Sequence, residues 1–217
     1  MRRAGIAAKI RARMTSWAAS SEAIRRGRER RYRTFLELCR VRADERILDI
    51  GAGQGAALER FNTVNPILAV DIVAPVASGW LAGSNVEVAQ ADGTNLRSAD
   101  REFPIAFSNS VIEHVPKELQ GAFASEVRRV ADRYFVQTPN KWFPIEPHYQ
   151  LPLVQFLPER LMKALNRRFS FGWREKGRWE PIRLLTARDL RRLFPDAEIH
   201  RERVFGLTKS LMAVRRG

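Results

Sequence analysis

The groups able to do chemistry fall in short clusters along the middle of the chain. Asp49 precedes Gly51, Ala52, Gly53 and Gly55 in the run ILDIGAGQG, Asp71 closes ILAVD, and Asp92-Gly93 and Asn109-Ser110 follow. Glycines let a backbone turn tightly and approach a ligand, and a helix opening behind them favours anionic groups. The string Gly51-x-Gly53-x-x-Ala56 also satisfies the relaxed dinucleotide fingerprint, so the loop alone leaves a nicotinamide nucleotide open. Asp49 stands where a carboxylate can face a cationic ligand or hold the glycine loop in shape. Asp71 stands where one can accept both hydroxyls of a ribose. Asp92-Gly93 by itself reads as a turn. Taken together, these positions offer polar groups to one extended, nucleoside-like ligand. Two histidines come next, His114 in Ile112-Glu113-His114-Val115 and His148 in the aromatic, proline-rich passage TPNKWFPIEPHYQLP.

Elements that would hold these groups are legible in the apolar pattern. Short apolar runs at 47–50, 67–73, 86–91, 105–108 and 134–137 alternate with helix-like stretches at 55–62, 76–82 and 117–131. The last of these follows Pro116 and contains Leu119, Phe123, Val127 and Val130. Such alternation predicts an α/β doubly wound, mostly parallel sheet with helices on both faces. Thr186-Ala-Arg-Asp189 reads as a capping box for a helix through Leu190 and Leu193. Runs at 198–205 and 208–215, joined by Gly206-Leu207, must pair antiparallel, which makes seven strands ending in a hairpin. Ahead of the sheet, a helix is expected from a Ser20/Ser21 cap to about Arg40, with Ile24, Tyr32, Phe35, Leu36 and Cys39 inward.

Composition narrows the class. With 217 residues and 45% hydrophobic content, one domain can bury a sizeable core. No stretch of 18 apolar residues occurs, the N-terminus lacks a signal-peptide core, and the single Cys39 can form no internal disulfide, so a cytoplasmic protein is expected. The net charge of +14 is unevenly spread: residues 1–42 carry 13 Lys/Arg against 3 acids, residues 160–217 carry 16 against 6, and the middle carries 9 against 15. The basic ends can face phosphates of nucleic acid or of an anionic membrane, or be solvated helices. Ile6, Ile10, Met14 and Trp17 recur at helical spacing among basic residues, which suits either an anionic inner membrane surface or docking on the body. The organisation expected is a basic helical arm over 1–42 and a single domain over 43–217 with an insertion at about 140–180.

The run ILDIGAGQG, Asp71, Asp92-Gly93 and the segment FSNSVIEHV resemble the motifs of class I S-adenosylmethionine-dependent methyltransferases, especially those with a methyltransferase-11-type domain. The resemblance covers residues 43–139 and, in architecture, 186–216. It implies S-adenosyl-L-methionine as cofactor, with the Gly51–Gly55 loop beneath its methionine part and Asp49 helping to place the amino group. Asp71 would hold the ribose, Ile72 would touch the adenine, Asp92 and Gly93 would border its edge, and Asn109 and Ser110 would line the methionine end. Methyl transfer from a sulfonium is an in-line displacement, so alignment is the main task and is worth roughly 7–11 kcal/mol. A base would add about 10²- to 10⁴-fold if the acceptor is a hydroxyl. No metal is called for.

On the acceptor side, Pro139, Pro144, Pro147 and Pro152 would stiffen a loop in which Trp142, Phe143 and Tyr149 wall a pocket and His148 is the candidate base. A hydrophobic plug with a packed histidine is the competing reading. His114 is a second catalytic candidate or a structural residue fixing the start of the next helix, and His200 belongs to an edge strand. Residues 157–169, with Leu161, Met162, Leu165 and Phe169 on one side and Arg160, Lys163, Arg167 and Arg168 elsewhere, predict a basic lid. FGWREKGRW at 171–179 adds Trp173 and Trp179. The function expected is O-methylation of a small or lipid-linked metabolite, such as a glycolipid or polysaccharide precursor. RNA methylation is the alternative, but the [DNS]-PP-[YFW] signature is missing, the nearest element being Thr138-Pro139-Asn140-Lys141. A non-catalytic, membrane-attached cofactor-binding module is another alternative, and a nicotinamide oxidoreductase fits the terminal hairpin badly.

Overall fold

The structure, a computed structural model, describes residues 26–53, 64–73, 85–169 and 181–217. The β-branched and aromatic runs form the strands β1 (Ile47–Ile50), β2 (Ile67–Asp71), β3 (Val86–Gln90), β4 (Phe103–Asn109) and β5 (Ala131–Pro139). A small hairpin, β6 (Ile145–Glu146) with β7 (Leu151–Pro152), follows, and β8 (Glu198–Val204) and β9 (Leu207–Arg215) end the chain. The described helices are α1 (26–39), α2 (Gln120–Val130), α3 (Glu159–Arg168) and α4 (Ala187–Leu193). Seven strands make one sheet in the order β3-β2-β1-β4-β5-β9-β8, with β1 to β5 parallel and β9 antiparallel to both β5 and β8.

Strand alternation sends side chains to two cores. From β5, Tyr134 and Val136 pack with α2 (Phe123, Val127, Val130) and α4 (Leu190, Phe194), while Phe135 faces α1. There Phe35 lies 4.8 Å from Phe107 and 5.7 Å from Phe135, ring centre to ring centre, and all three are buried. Helices therefore cover both faces, as expected for a doubly wound sheet. α1 ends at Arg40, which takes φ +48° while Val41 N–H reaches Leu36 O at 3.1 Å, a Schellman closure. Arg133 of β5 donates to Cys39 O at 2.7 Å and pairs with the buried Glu45, pinning that helix end to the sheet.

Several boundaries shift from expectation: β2 stops at Asp71, β4 begins at Phe103, and β5 runs on through Thr138 and Pro139, which pair with β9 rather than open the loop. Two further shifts have a local cause. α2 begins at Gln120, because Pro116 O takes the N–H of both Leu119 and Gln120 and a turn precedes the helix. Leu119 thus stands at the N-cap, 42% exposed. The final turn is Phe205-Gly206, with φ of +48° and +80°, so it is a two-residue turn one position earlier. The Thr186–Asp189 capping box forms as expected. Residues 1–25 of the basic arm, with the Ser20/Ser21 cap and Ile24, the stretches 55–62 and 76–82, Gly55, and the passage 171–179 with Trp173 and Trp179 lie outside the described residues. Among the described residues no helix is long and apolar enough to cross a membrane.

Candidate active site

In an open α/β sheet, ligands bind beyond the carboxyl ends of the strands where the strand order reverses. Here that place is between β1 and β4, whose neighbours on either side are β2 and β5. Asp49 is buried in β1, and the chain turns at Gly51 with φ +80°, its N–H on Val70 O at 2.8 Å. A Cβ at Gly51 would lie 2.3 Å from Val111 Cγ2. The glycine is therefore required both by its dihedral and by the loop after β4 pressed against it. Ala52 N–H also reaches Val70 O, and Gly53, at φ +70°, donates to Asp71 Oδ2 at 2.9 Å.

Asp71 ends β2 and its Oδ1 accepts Val73 N–H, so one carboxylate ties the glycine loop to the next turn. Ile72 beside it is 66% exposed, an apolar surface at a polar strand end. Asp92 Oδ1 takes both the N–H and the hydroxyl of Thr94, which gives it the turn role that it would have alone. Gly93 packs closely, since a Cβ there would come within 3.0 Å of Ile50 and Phe123. At the end of β4, Asn109 Oδ1 is buried with no hydrogen-bond partner, and Ser110, at φ +59°, donates to Gln137 Oε1 at 2.9 Å. A buried acceptor left open at this point fits an ammonium group of a ligand, and a glycine turn that admits no Cβ fits a closely held one. The set suits S-adenosylmethionine.

A second cluster stands beside the first. Glu113, fully buried, accepts the Thr138 hydroxyl at 3.0 Å through Oε2, while Oε1 has no hydrogen-bond partner. Burial pushes its carboxyl up to about 7, against its own backbone hydrogen bond, the field of His148 and the Thr138 hydroxyl. The His114 and His148 rings meet edge to face, 4.9 Å between centres. Glu146 is buried in β6 and does two jobs: Oε1 holds His148 Nδ1 at 2.7 Å and Oε2 caps Tyr149 N–H at 2.6 Å. The insertion that carries His148 is anchored at both ends. Lys141 N–H reaches Leu185 O, Arg183 N–H reaches Glu113 O at 2.7 Å, and Gln120 donates to Ile112 O and Arg183 O.

The aromatic residues expected to wall one pocket separate. Tyr149 is buried and lines a cavity of about 480 Å³ together with Gln120, Glu146, Met162 and Arg183. Trp142, 65% exposed and against Phe156, borders a different hollow with Asn140, Thr186 and Arg188. Phe143 is half-buried and lines neither; its carbonyl takes Gln155 Nε2 at 2.8 Å. On α3 Met162 is buried, whereas Leu161 and, at the C-cap, Phe169 are exposed. Sequence reasoning missed Glu113 and Glu146 as functional groups; the signal for the latter was a carboxylate two residues before His148 across a rigid proline.

A family model described as a methyltransferase domain matches residues 47–133. No curated protein matches the chain. Among solved structures, 1,6-didemethyltoxoflavin-N1-methyltransferase of Burkholderia thailandensis, with bound 1,6-didemethyltoxoflavin and S-adenosylhomocysteine, is similar at 17% identity. That match covers 92% of this chain and 80% of that one, with a TM-score of 0.58. Magnesium protoporphyrin IX methyltransferase of Synechocystis PCC 6803, with bound S-adenosylhomocysteine, is similar at 16% identity over 88% of this chain and 83% of that one, TM-score 0.58. YcgJ of Bacillus subtilis is similar at 16% identity over 86% and 98%, TM-score 0.58. At such identities the likeness speaks for the fold.

Proposed function

We propose that the chain, whose residues 47–133 match a methyltransferase domain, is a class I S-adenosylmethionine-dependent methyltransferase that methylates a hydroxyl of a small or lipid-linked acceptor. The observation that carries this reading is the histidine and carboxylate cluster packed beside the cofactor-side strand ends. Asp49 and the buried Asn109 Oδ1 receive the amino group of the cofactor, the turn at Gly51, Ala52 and Gly53 lies beneath its methionine part, and Asp71 holds the ribose. Ile72 carries the adenine, Asp92 and Gly93 close its edge, and Ser110 shapes the methionine end. Bound there, S-adenosylmethionine supplies a methyl group on a sulfonium.

His148 would take the proton of the acceptor hydroxyl as that oxygen receives the methyl group, the bond to sulfur breaking with its electron pair left on sulfur. Glu146 fixes the ring through Nδ1, so Nε2 is the nitrogen that meets the acceptor. His114 supports the ring edge to face. An amphipathic acceptor is favoured by the insertion itself, which exposes Trp142, Leu153, Phe156, Leu161 and Phe169 beside Arg160, Lys163, Arg167 and Arg168. The test is transfer of labelled methyl from S-adenosylmethionine into hydroxylated lipid and saccharide extracts, with amine acceptors and RNA in parallel. Label in a base-stable ether, lost in His148→Ala, is expected. Label confined to amines or to RNA would refute the hydroxyl reading.

A further inference from the structure

We propose that Glu113, His114 and His148 form a divalent-metal site that takes a first-row transition ion such as Zn²⁺. The inference rests on the hydroxyl-methylation reading and alters one step in it: the ion, rather than a free imidazole, lowers the proton affinity of the acceptor hydroxyl, and the proton leaves to water.

One ligand atom from each of the three residues lies within 4.8 Å of the others. Ligands about 2.0–2.2 Å from a common ion stand roughly 3–3.5 Å apart, so shifts of about 1 Å close the set. Two further features point to a cation. Glu113 is held on one side by Thr138, and its other oxygen, Oε1, is buried without a hydrogen bond, an unfavourable arrangement until something positive meets it. Glu146 grips His148 Nδ1, which fixes the tautomer and directs the Nε2 lone pair outward; a carboxylate bracing a histidine in this way is the usual support of a metal ligand.

The donor types choose among ions. Two imidazoles and one carboxylate suit Zn²⁺, Fe²⁺ or Co²⁺, whereas Mg²⁺ and Ca²⁺ ask for oxygen ligands. Three protein ligands leave coordination positions for an acceptor oxygen. The ligands come from two places that the fold brings together: the loop after β4, which also presses on Gly51, and the β6–β7 turn of the insertion. An ion there would join acceptor binding to the loop that shapes the cofactor site.

The full chain, treated with EDTA and desalted, is titrated calorimetrically with ZnCl₂ and followed by visible absorption as CoCl₂ is added. One saturable equivalent and the d–d bands of four- or five-coordinate Co²⁺ are expected. Glu113→Gln, His114→Ala and His148→Ala should each abolish that binding, and Glu146→Gln, which removes no ligand, should weaken it about 10- to 100-fold. S-adenosylhomocysteine affinity, measured on every variant, reports folding and the methyltransferase reading separately. Zn²⁺ binding that survives in Glu113→Gln and His148→Ala would overturn the inference, as would absence of saturable binding in a wild-type protein that still binds S-adenosylhomocysteine. Full methyl transfer by the EDTA-treated enzyme would also overturn it and return His148 to the role of a base.

Discussion

Replacing Gly51 by alanine tests the link between the glycine turn and the loop after β4. The new Cβ would sit 2.3 Å from Val111 Cγ2 and 2.7 Å from Cγ1, at a φ of +80°. The dihedral costs about 1–2 kcal/mol for any residue with a Cβ, and forcing a methyl into packed atoms adds about 1–3 kcal/mol. Relief requires Val111 to move, and with it the segment that carries Glu113 and His114. Urea unfolding of Gly51→Ala should therefore show a loss of about 2–5 kcal/mol, and titration with S-adenosylhomocysteine a fall in affinity of about tenfold or more, equivalent to about 1.4 kcal/mol. In Gly51→Ala/Val111→Ala the nearest atom becomes the residue 111 Cβ at 3.1 Å. The steric part should then largely vanish while the dihedral part stays. The double-mutant cycle is expected to show a favourable coupling of about 1–3 kcal/mol. Strict additivity, or a Gly51→Ala protein with wild-type stability and affinity, would refute the close approach.

Three further outcomes are expected. Asp71→Ala removes the acceptor of Gly53 N–H and of Val73 N–H together with the carboxylate proposed to hold the ribose, so S-adenosylhomocysteine affinity should drop well over tenfold while the unfolding midpoint moves little; an unaltered affinity places the ribose elsewhere. Arg40→Gly relieves a left-handed residue at an exposed helix end and should stabilise by about 0.5–1 kcal/mol in urea unfolding, whereas a loss would refute strain at that cap. For Glu45, burial raises the carboxyl but the Arg133 hydrogen bond, the Arg42 backbone bond and both charges outweigh it, so the folded value lies below the ordinary 4.5. The resulting stability is present above 4.5 and lost as pH falls through the lower folded value. Arg133→Met should cost about 3 kcal/mol at neutral pH, and its deficit against wild type should shrink on acidification; an equal deficit at both pH values would exclude the linkage.

Local physics was readable along the chain. Short apolar runs alternating with helix-like stretches announced the strands, polar residues within and just after those runs singled out Asp49, Asp71, Asp92 and Asn109, and Thr186 with Asp189 announced a helix start that the capping box then makes. Each of these depends on residues within a few positions of one another, where dihedral preference and side-chain alternation act without regard to the rest of the chain. Boundaries moved where one carbonyl had a choice of partners, as Pro116 O did before α2.

Partnerships across the fold were a different matter. That Gly51 is shaped by Val111, that Arg133 closes on Glu45, and that Glu113 meets His148 through an insertion clasped by Leu185 and Arg183 follow only from the strand order β2-β1-β4-β5. The separation of Trp142 from Tyr149 has the same origin, since residues of one turn-rich loop line different hollows. The sequence by itself determined the sheet and the residue types at its strand ends, because those requirements are local. Which distant carboxylate faces which histidine was decided by tertiary structure, because burial and charge pairing act through space and not along the chain.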